Sequence, residues 1–173
     1  MLRIRNFRSI CFYLCILLVC SACAIRYSCN GASIDYTTTR SISIADFPNN
    51  AALVYPQLSS DLSEGIRDLF SRQTRLAILR KGGDLELEGE IINYALTPMS
   101  VSADSYAAET KLTVTVRVRF TSNVNPQDSF ERTYSAYQTF DATKLLTDVQ
   151  EELCATMIEE ISQAIFNDTV AKW

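Results

Sequence analysis

The chain contains no histidine. That absence removes Ser-His-Asp and Cys-His catalysis, imidazole general bases and most zinc sites together. The patterns G-x-x-x-x-G-K-[ST], G-x-G-x-x-G and G-x-S-x-G are missing as well, so no phosphate-cradling loop or nucleophile elbow is written here. The longest apolar run, Ile10 to Cys20, has about half the ~20 residues that a bilayer-spanning helix needs. Positive charge is not in excess either: 16 Lys and Arg stand against 20 Asp and Glu, a net charge of −4. Nothing suggests a surface that tracks phosphates, and nucleic acid is discounted as a partner. No repeat, low-complexity tract or second domain interrupts the chain. A hydrophobic fraction of 47% with 10% aromatics excludes a largely disordered polypeptide.

What is present begins with Arg3, Arg5 and Arg8, followed by the apolar run and then Ser21-Ala22-Cys23. A charged segment followed by a greasy one is the layout of a secretory signal peptide. Small residues directly before a cysteine look like a bacterial lipobox, which makes residues 1–22 the signal and Cys23 the lipidated N-terminus. Cys20 departs from that pattern, standing where leucine is usual. The alternatives are a soluble secreted protein cut nearby or an uncleaved short anchor. Cleavage before Cys23 leaves 151 residues with 13 basic and 20 acidic side chains, a net charge of −7. That length fits one domain with a real core.

The six cysteines look like a disulfide scaffold until they are placed. Cys11, Cys15 and Cys20 leave with the signal, and Cys23 carries lipid. Cys29 and Cys154 remain, as a periplasmic disulfide or as free thiols, Cys154 bordering the apolar face of a helix.

Residues 23–38 read as the lipidated cysteine and a short tether, and 39–173 as one domain. Arg40 to Ala45 alternates, a strand with Ile42 and Ile44 inward. Phe47-Pro48-Asn49-Asn50 stops it. Pro56 opens a helix to Thr74 with Leu58, Leu62, Ile66, Leu69 and Phe70 on one stripe. Gly65 within that helix suggests close packing. Leu76 to Leu79 is a short strand closed by a Gly82-Gly83 turn.

From Asp84 to Glu90, acidic residues alternate with Leu85, Leu87 and Gly89. After Ile91 the parity flips to Ile92, Tyr94 and Leu96, which predicts a β-bulge near Ile91–Asn93. Residues 98–109 form a loop. Lys111 to Phe120 alternates again, with Leu112, Val114, Val116, Val118 and Phe120 on one face. Phe130 to Phe140 is a further strand with Tyr134, Ala136 and Arg132 on its inner face. Residues 147–173 form a long amphipathic helix, capped by Thr147 or Asp148. The order β-α-β-β-β-β-α predicts an α+β two-layer sandwich of a mainly antiparallel sheet and two helices. Nothing in it requires a cofactor or a metal.

Candidate chemistry is sparse. Asp84, Glu86, Glu88 and Glu90 resemble paired acids, but alternate strand residues lie about 6.6 Å apart on an exposed face, and a solvated face is the better reading. If the Asp84–Thr97 and Lys111–Phe120 strands pair as a hairpin, Glu88 and Glu90 lie opposite Arg119 and Arg117. The alternative keeps Lys111, Arg117 and Arg119 available for an anionic ligand such as a phosphorylated glycolipid. Trp173 and Tyr137 read as packing residues, with interface anchoring as the alternative.

Tyr27-Ser28 with Gly31-Ala32-Ser33-Ile34, then Ser43 to Asn49 and Leu53-Val54-Tyr55-Pro56, resembles the LptE family of lipopolysaccharide-assembly lipoproteins. So do Leu85 to Ile91 leading to Thr97-Pro98, the Leu112–Phe120 strand, and the ending Ala164-Ile165-Phe166-Asn167 to Val170-Ala171-Lys172-Trp173. The likeness implies a small sandwich with no enzymatic activity, anchored in the inner leaflet of a Gram-negative outer membrane and facing the periplasm. Such a protein plugs an LptD-type outer-membrane β-barrel, helps it assemble and assists lipopolysaccharide insertion. A free-standing outer-membrane lipoprotein that binds a small ligand or the cell wall is the other reading of the same residues.

Overall fold

The computed structural model describes residues 32–99 and 108–172. The expected signal segment, Cys23, Cys29, the tether up to residue 31, most of the 98–109 loop and Trp173 lie outside the described residues.

The described elements are β1 (Ala32–Ser33), β2 (Ser41–Ile44), α1 (Pro56–Gln73), β3 (Ala77–Leu79), β4 (Leu85–Pro98), β5 (Glu109–Ser122), β6 (Phe130–Asp141), α2 (Leu146–Thr169) and β7 (Ala171–Lys172). Strands β2 to β6 form one mixed sheet in the order β3-β2-β4-β5-β6. β2 runs parallel to both β3 and β4, and β4-β5-β6 is an antiparallel meander. The two helices cover one face of this sheet, the expected α+β sandwich.

Alternation decides the faces. Leu85, Leu87 and Ile91 of β4, and Leu112, Val114, Val116, Val118 and Phe120 of β5, are all buried under the helices. β4 and β5 pair over almost their whole length, and the register slips by one residue between Ile91 and Asn93. The extra residue is Ile92, so Tyr94 takes over the inward position and is buried. The bulge falls where the parity change predicted it.

Helix α1 starts on Pro56 and buries Leu58, Leu62, Ile66 and Phe70. Helix α2 buries Met157, Ile158, Ile161, Ile165 and Phe166. The helices meet edge-to-face at Phe70 and Phe166, ring centroids 5.2 Å apart. Gly65 sits on the same seam: a Cβ there would stand 3.1 Å from Ile158 Cγ2 and 3.8 Å from Ser162 Oγ. That close approach accounts for a glycine inside a helix, where it costs about 1 kcal/mol relative to alanine.

The segment after β2 builds the centre of the core. Ala45 N–H donates to Leu87 O at 2.9 Å, and Ile91 N–H to Pro48 O at 2.9 Å, so the chain keeps following β4 beyond the end of β2. Between these bonds Phe47 turns inward and is fully buried. Its N–H donates to Ser63 Oγ (2.9 Å) and its carbonyl accepts from Ser59 Oγ (2.6 Å), both on α1. Its ring lies over Gly89, where a Cβ would come within 2.4 Å of Phe47 Cε1. The glycine interrupting the alternation of β4 is the seat of this ring.

The ends of α2 differ from the sequence expectation. Its N-cap is Leu145, with no side-chain cap, in place of Thr147 or Asp148. Asp141 holds the preceding turn through Thr143, so the helix starts one residue before the expected caps. It also stops at Thr169, short of Trp173. There the Thr169 hydroxyl donates to the carbonyls of Ile165 (2.8 Å) and Phe166 (3.1 Å). Ala171–Lys172 then pairs antiparallel with Ala32–Ser33.

Asp84 joins two distant segments. Its carboxylate accepts from Arg40 N–H (2.8 Å), Ser41 N–H (3.0 Å) and Ser41 Oγ–H (2.9 Å). The Arg40 amide above all, then the Ser41 hydroxyl, holds its pKa below the ordinary 3.8. Thr37 does the same for Asp35, and Thr143 for Asp141. Because the folded values are depressed, this stabilisation is present above pH 3.8 and is lost as pH falls through the lowered folded values. Thermal melts between pH 7 and 2.5 are expected to show a falling midpoint below about pH 4, and Asp84→Asn to lower the midpoint at pH 7 and flatten the fall. An acid profile unchanged by Asp84→Asn contradicts this assignment.

Candidate functional site

The face of the sheet opposite the helices is uncovered by any described element. Its side chains are the outward half of each alternation: Glu86, Glu88 and Glu90 on β4, Lys111, Arg117 and Arg119 on β5, Glu131 and Tyr137 on β6. Pairing follows the register expected from sequence, with Glu88 opposite Arg119 and Glu90 opposite Arg117. Arg117 Nη1 donates to Glu90 Oε1 at 2.9 Å, and Asn50 Nδ2 holds the other oxygen of Glu90 at 2.7 Å. Arg119 turns the other way. Both its Nη2 (3.1 Å) and its Nε (3.3 Å) donate to Glu131 Oε2. β5 is central, so each of its outward residues has a cross-strand neighbour on both sides, and Arg119 takes the one on β6.

The structure therefore brings Arg117 and Arg119 together but leaves Lys111 apart. Six residues along a strand separate Lys111 from Arg117, about 20 Å. Lys111 Nζ sits 5.5 Å from the centroid of the Tyr137 ring. Beside the arginines lies a shallow depression of about 220 Å³, floored by Pro48 and Gly89 and rimmed by Glu88, Glu90 and Glu131. Both ion pairs are exposed, side-chain exposure reaching 48% for Arg117 and 62% for Arg119, so each is worth at most about 1 kcal/mol. The face is polar and locally neutralised.

On the helix side, Arg132 and Tyr134 of β6 both reach Asp168 of α2. Arg132 forms an ion pair with it, and Tyr134 Oη donates to Asp168 Oδ2 at 2.8 Å. Asp168 raises the Arg132 pKa through the hydrogen bond first and charge second. Burial first, then the bond to Asp168, pushes the Tyr134 phenol up. The sequence places Arg132 on this face but carries no sign of its partner 36 residues later.

Cys154 is a free thiol, buried against Tyr94, its Sγ 4.0 Å from the phenol oxygen. Burial pushes its pKa up to about 11, and the Tyr94 phenol also rises, chiefly through burial. An alkylating reagent at pH 7.5 is expected to leave Cys154 untouched in the folded protein and to label it once the chain is unfolded in guanidinium. Labelling at the same rate in both states contradicts the buried placement. Among the described residues no cluster of three or more Asp, Glu, His or Cys is arranged to hold a metal ion. No described helix is long and apolar enough to cross a membrane.

The described elements define a two-layer α+β sandwich with one open polar face, a fold shared by several solved bacterial structures. A minor lipoprotein from Acinetobacter baumannii is similar at 12% identity and TM-score 0.50, covering 78% of this chain and 94% of that one. A hypothetical protein from Chlamydia trachomatis is similar at 12% identity and TM-score 0.50, covering 76% and 99%. A Helicobacter pylori protein described as a homologue of a neuraminyllactose-binding hemagglutinin matches at 8% identity and TM-score 0.51, covering 82% and 88%. At such identities these neighbours establish the fold alone. Comparison with curated protein sequences finds no match. The model of the LptE family, described as lipopolysaccharide-assembly, matches residues 39–169. The chain belongs to the LptE family, a family of assembly lipoproteins and not of enzymes.

Proposed function

We propose that this chain is an outer-membrane lipoprotein subunit of the lipopolysaccharide translocon, the plug and assembly partner of an LptD-type β-barrel. In this reading residues 1–22 are a signal peptide and Cys23 carries the lipid. Residues 23–38 are the tether, and 39–173 form the periplasm-facing domain. The observation that carries the reading is the family match over residues 39–169, nearly all of the folded domain. The uncovered sheet face supports it. The lumen of an outer-membrane barrel is polar, and a polar face on which Glu90 and Glu131 pair with the two arginines suits such a lumen. Lys111, Arg117 and Arg119 are the residues proposed to meet the phosphates of a lipopolysaccharide on that face. With Lys111 remote from the arginines, they offer two separate contacts.

Deleting the gene tests the role directly. The expected result is a fall in the amount of folded barrel and an outer membrane leaky to large hydrophobic antibiotics. Normal barrel levels with an intact barrier in the deletion strain contradict the proposal. Charge reversal of Arg117 and Arg119 with barrel levels unchanged, read by lipopolysaccharide binding to the purified complex, tests the contact separately.

A further inference from the structure

The two edges of the main sheet are built differently. β3, at one edge, has three residues and is flanked by Arg75, Arg80 and Lys81, the short and basic construction that discourages strand addition. β6, at the other edge, has twelve residues, about 40 Å of strand, with no proline, lysine or glycine. From Thr133 to Phe140 it carries no charge, and five of those eight residues are tyrosines, threonines or phenylalanine, types at home in sheets. β6 pairs with β5 on one side only. Between Glu131 and Phe140, no described backbone group bonds on its other side. Tyr137, midway along, is 61% exposed. A long uncharged edge without a blunting device is a template for another strand.

We propose that β6 is a docking edge, on which an extended, uncharged segment of the barrel partner adds as a sixth strand of the sheet. This deepens the translocon reading and rests on it. Strand addition satisfies main-chain donors and acceptors on alternate residues and needs little of the partner beyond an extended, neutral, β-prone sequence. A second copy of this chain is the weaker occupant. Beyond residue 22 each copy carries a net charge of −7, and edge-to-edge pairing brings two such bodies together. A closed barrel has no free strand edge of its own, so the added segment comes from a loop or terminal region of that chain.

Amide hydrogen exchange of the full-length protein in detergent, alone and in its purified complex with the barrel, tests this. Expected is a slowing of roughly tenfold or more at alternate amides between Glu131 and Phe140 in the complex, with Ala77–Leu79 of β3 unchanged. Tyr137→Lys, on the exposed face, is expected to weaken that protection while leaving the melting temperature of the isolated protein in place. A barrel that co-purifies while β6 exchanges at the same rate overturns the docking edge and leaves the translocon reading standing. Amides already protected in the isolated protein, at twice the monomer mass, assign the edge to a second copy and overturn it too. If no barrel co-purifies, both readings fall.

Discussion

Gly89→Ala is expected to destabilise the domain by about 3 kcal/mol or more, the upper end of what overpacking costs in a close-packed core. The new methyl group has nowhere to go. It would lie 2.4 Å from Phe47 Cε1 and 2.6 Å from Arg117 O, an aromatic ring held on all sides and a backbone oxygen of the neighbouring strand. Phe47 cannot withdraw, because Ser63 fixes its N–H and Ser59 its carbonyl. Phe47→Ala alone is expected to cost about 3–5 kcal/mol by emptying that site. The two changes share one contact, so the double variant is expected to lose less than the sum by about 1 kcal/mol or more. Urea unfolding of the four proteins measures this cycle. Strict additivity would mean that the ring and the glycine do not meet.

Cys23→Ala is expected to abolish acylation, with labelled palmitate incorporation falling to background. The domain should keep its melting temperature, since none of its described contacts involve residue 23. No described helix provides another membrane attachment, and each buried methylene of a lipid chain contributes about 0.8 kcal/mol of membrane affinity. The variant should accordingly be lost from the outer-membrane fraction. Acylation and fractionation that persist in Cys23→Ala contradict the lipobox reading.

How much was legible follows the length of each pattern. The β4–β5 hairpin was readable because two long alternating runs admit few registers that keep every Leu, Val and Ile on one face. The same parity located the bulge at Ile92, and Glu90 opposite Arg117 came with it. The helices showed themselves through stripes at spacings of three and four. Two-residue strands have no period, so the pairing of Ala32–Ser33 with Ala171–Lys172, at opposite ends of the chain, was invisible. The end of α2 was missed with it, since Val170 continues the apolar stripe while the chain has already left the helix. Asp84 looked like the first of four alternating acids, yet it caps β2 from 43 positions away. Its place beside the Gly82-Gly83 turn was the available hint. The choice of Arg119 for Glu131 over Glu88 is decided by side-chain direction on a central strand, which alternation does not encode. Phe47 and Gly89 were each visible as interruptions of a strand. That one fills the other is a tertiary fact.

The most direct measurement of the central claim is an affinity purification of tagged full-length protein from detergent-solubilised outer membranes. A large β-barrel recovered in equal amount is the predicted result. The protein recovered alone, from membranes that demonstrably contain the intact barrel, would contradict the translocon assignment and point to a free-standing lipoprotein that binds a small ligand or the cell wall.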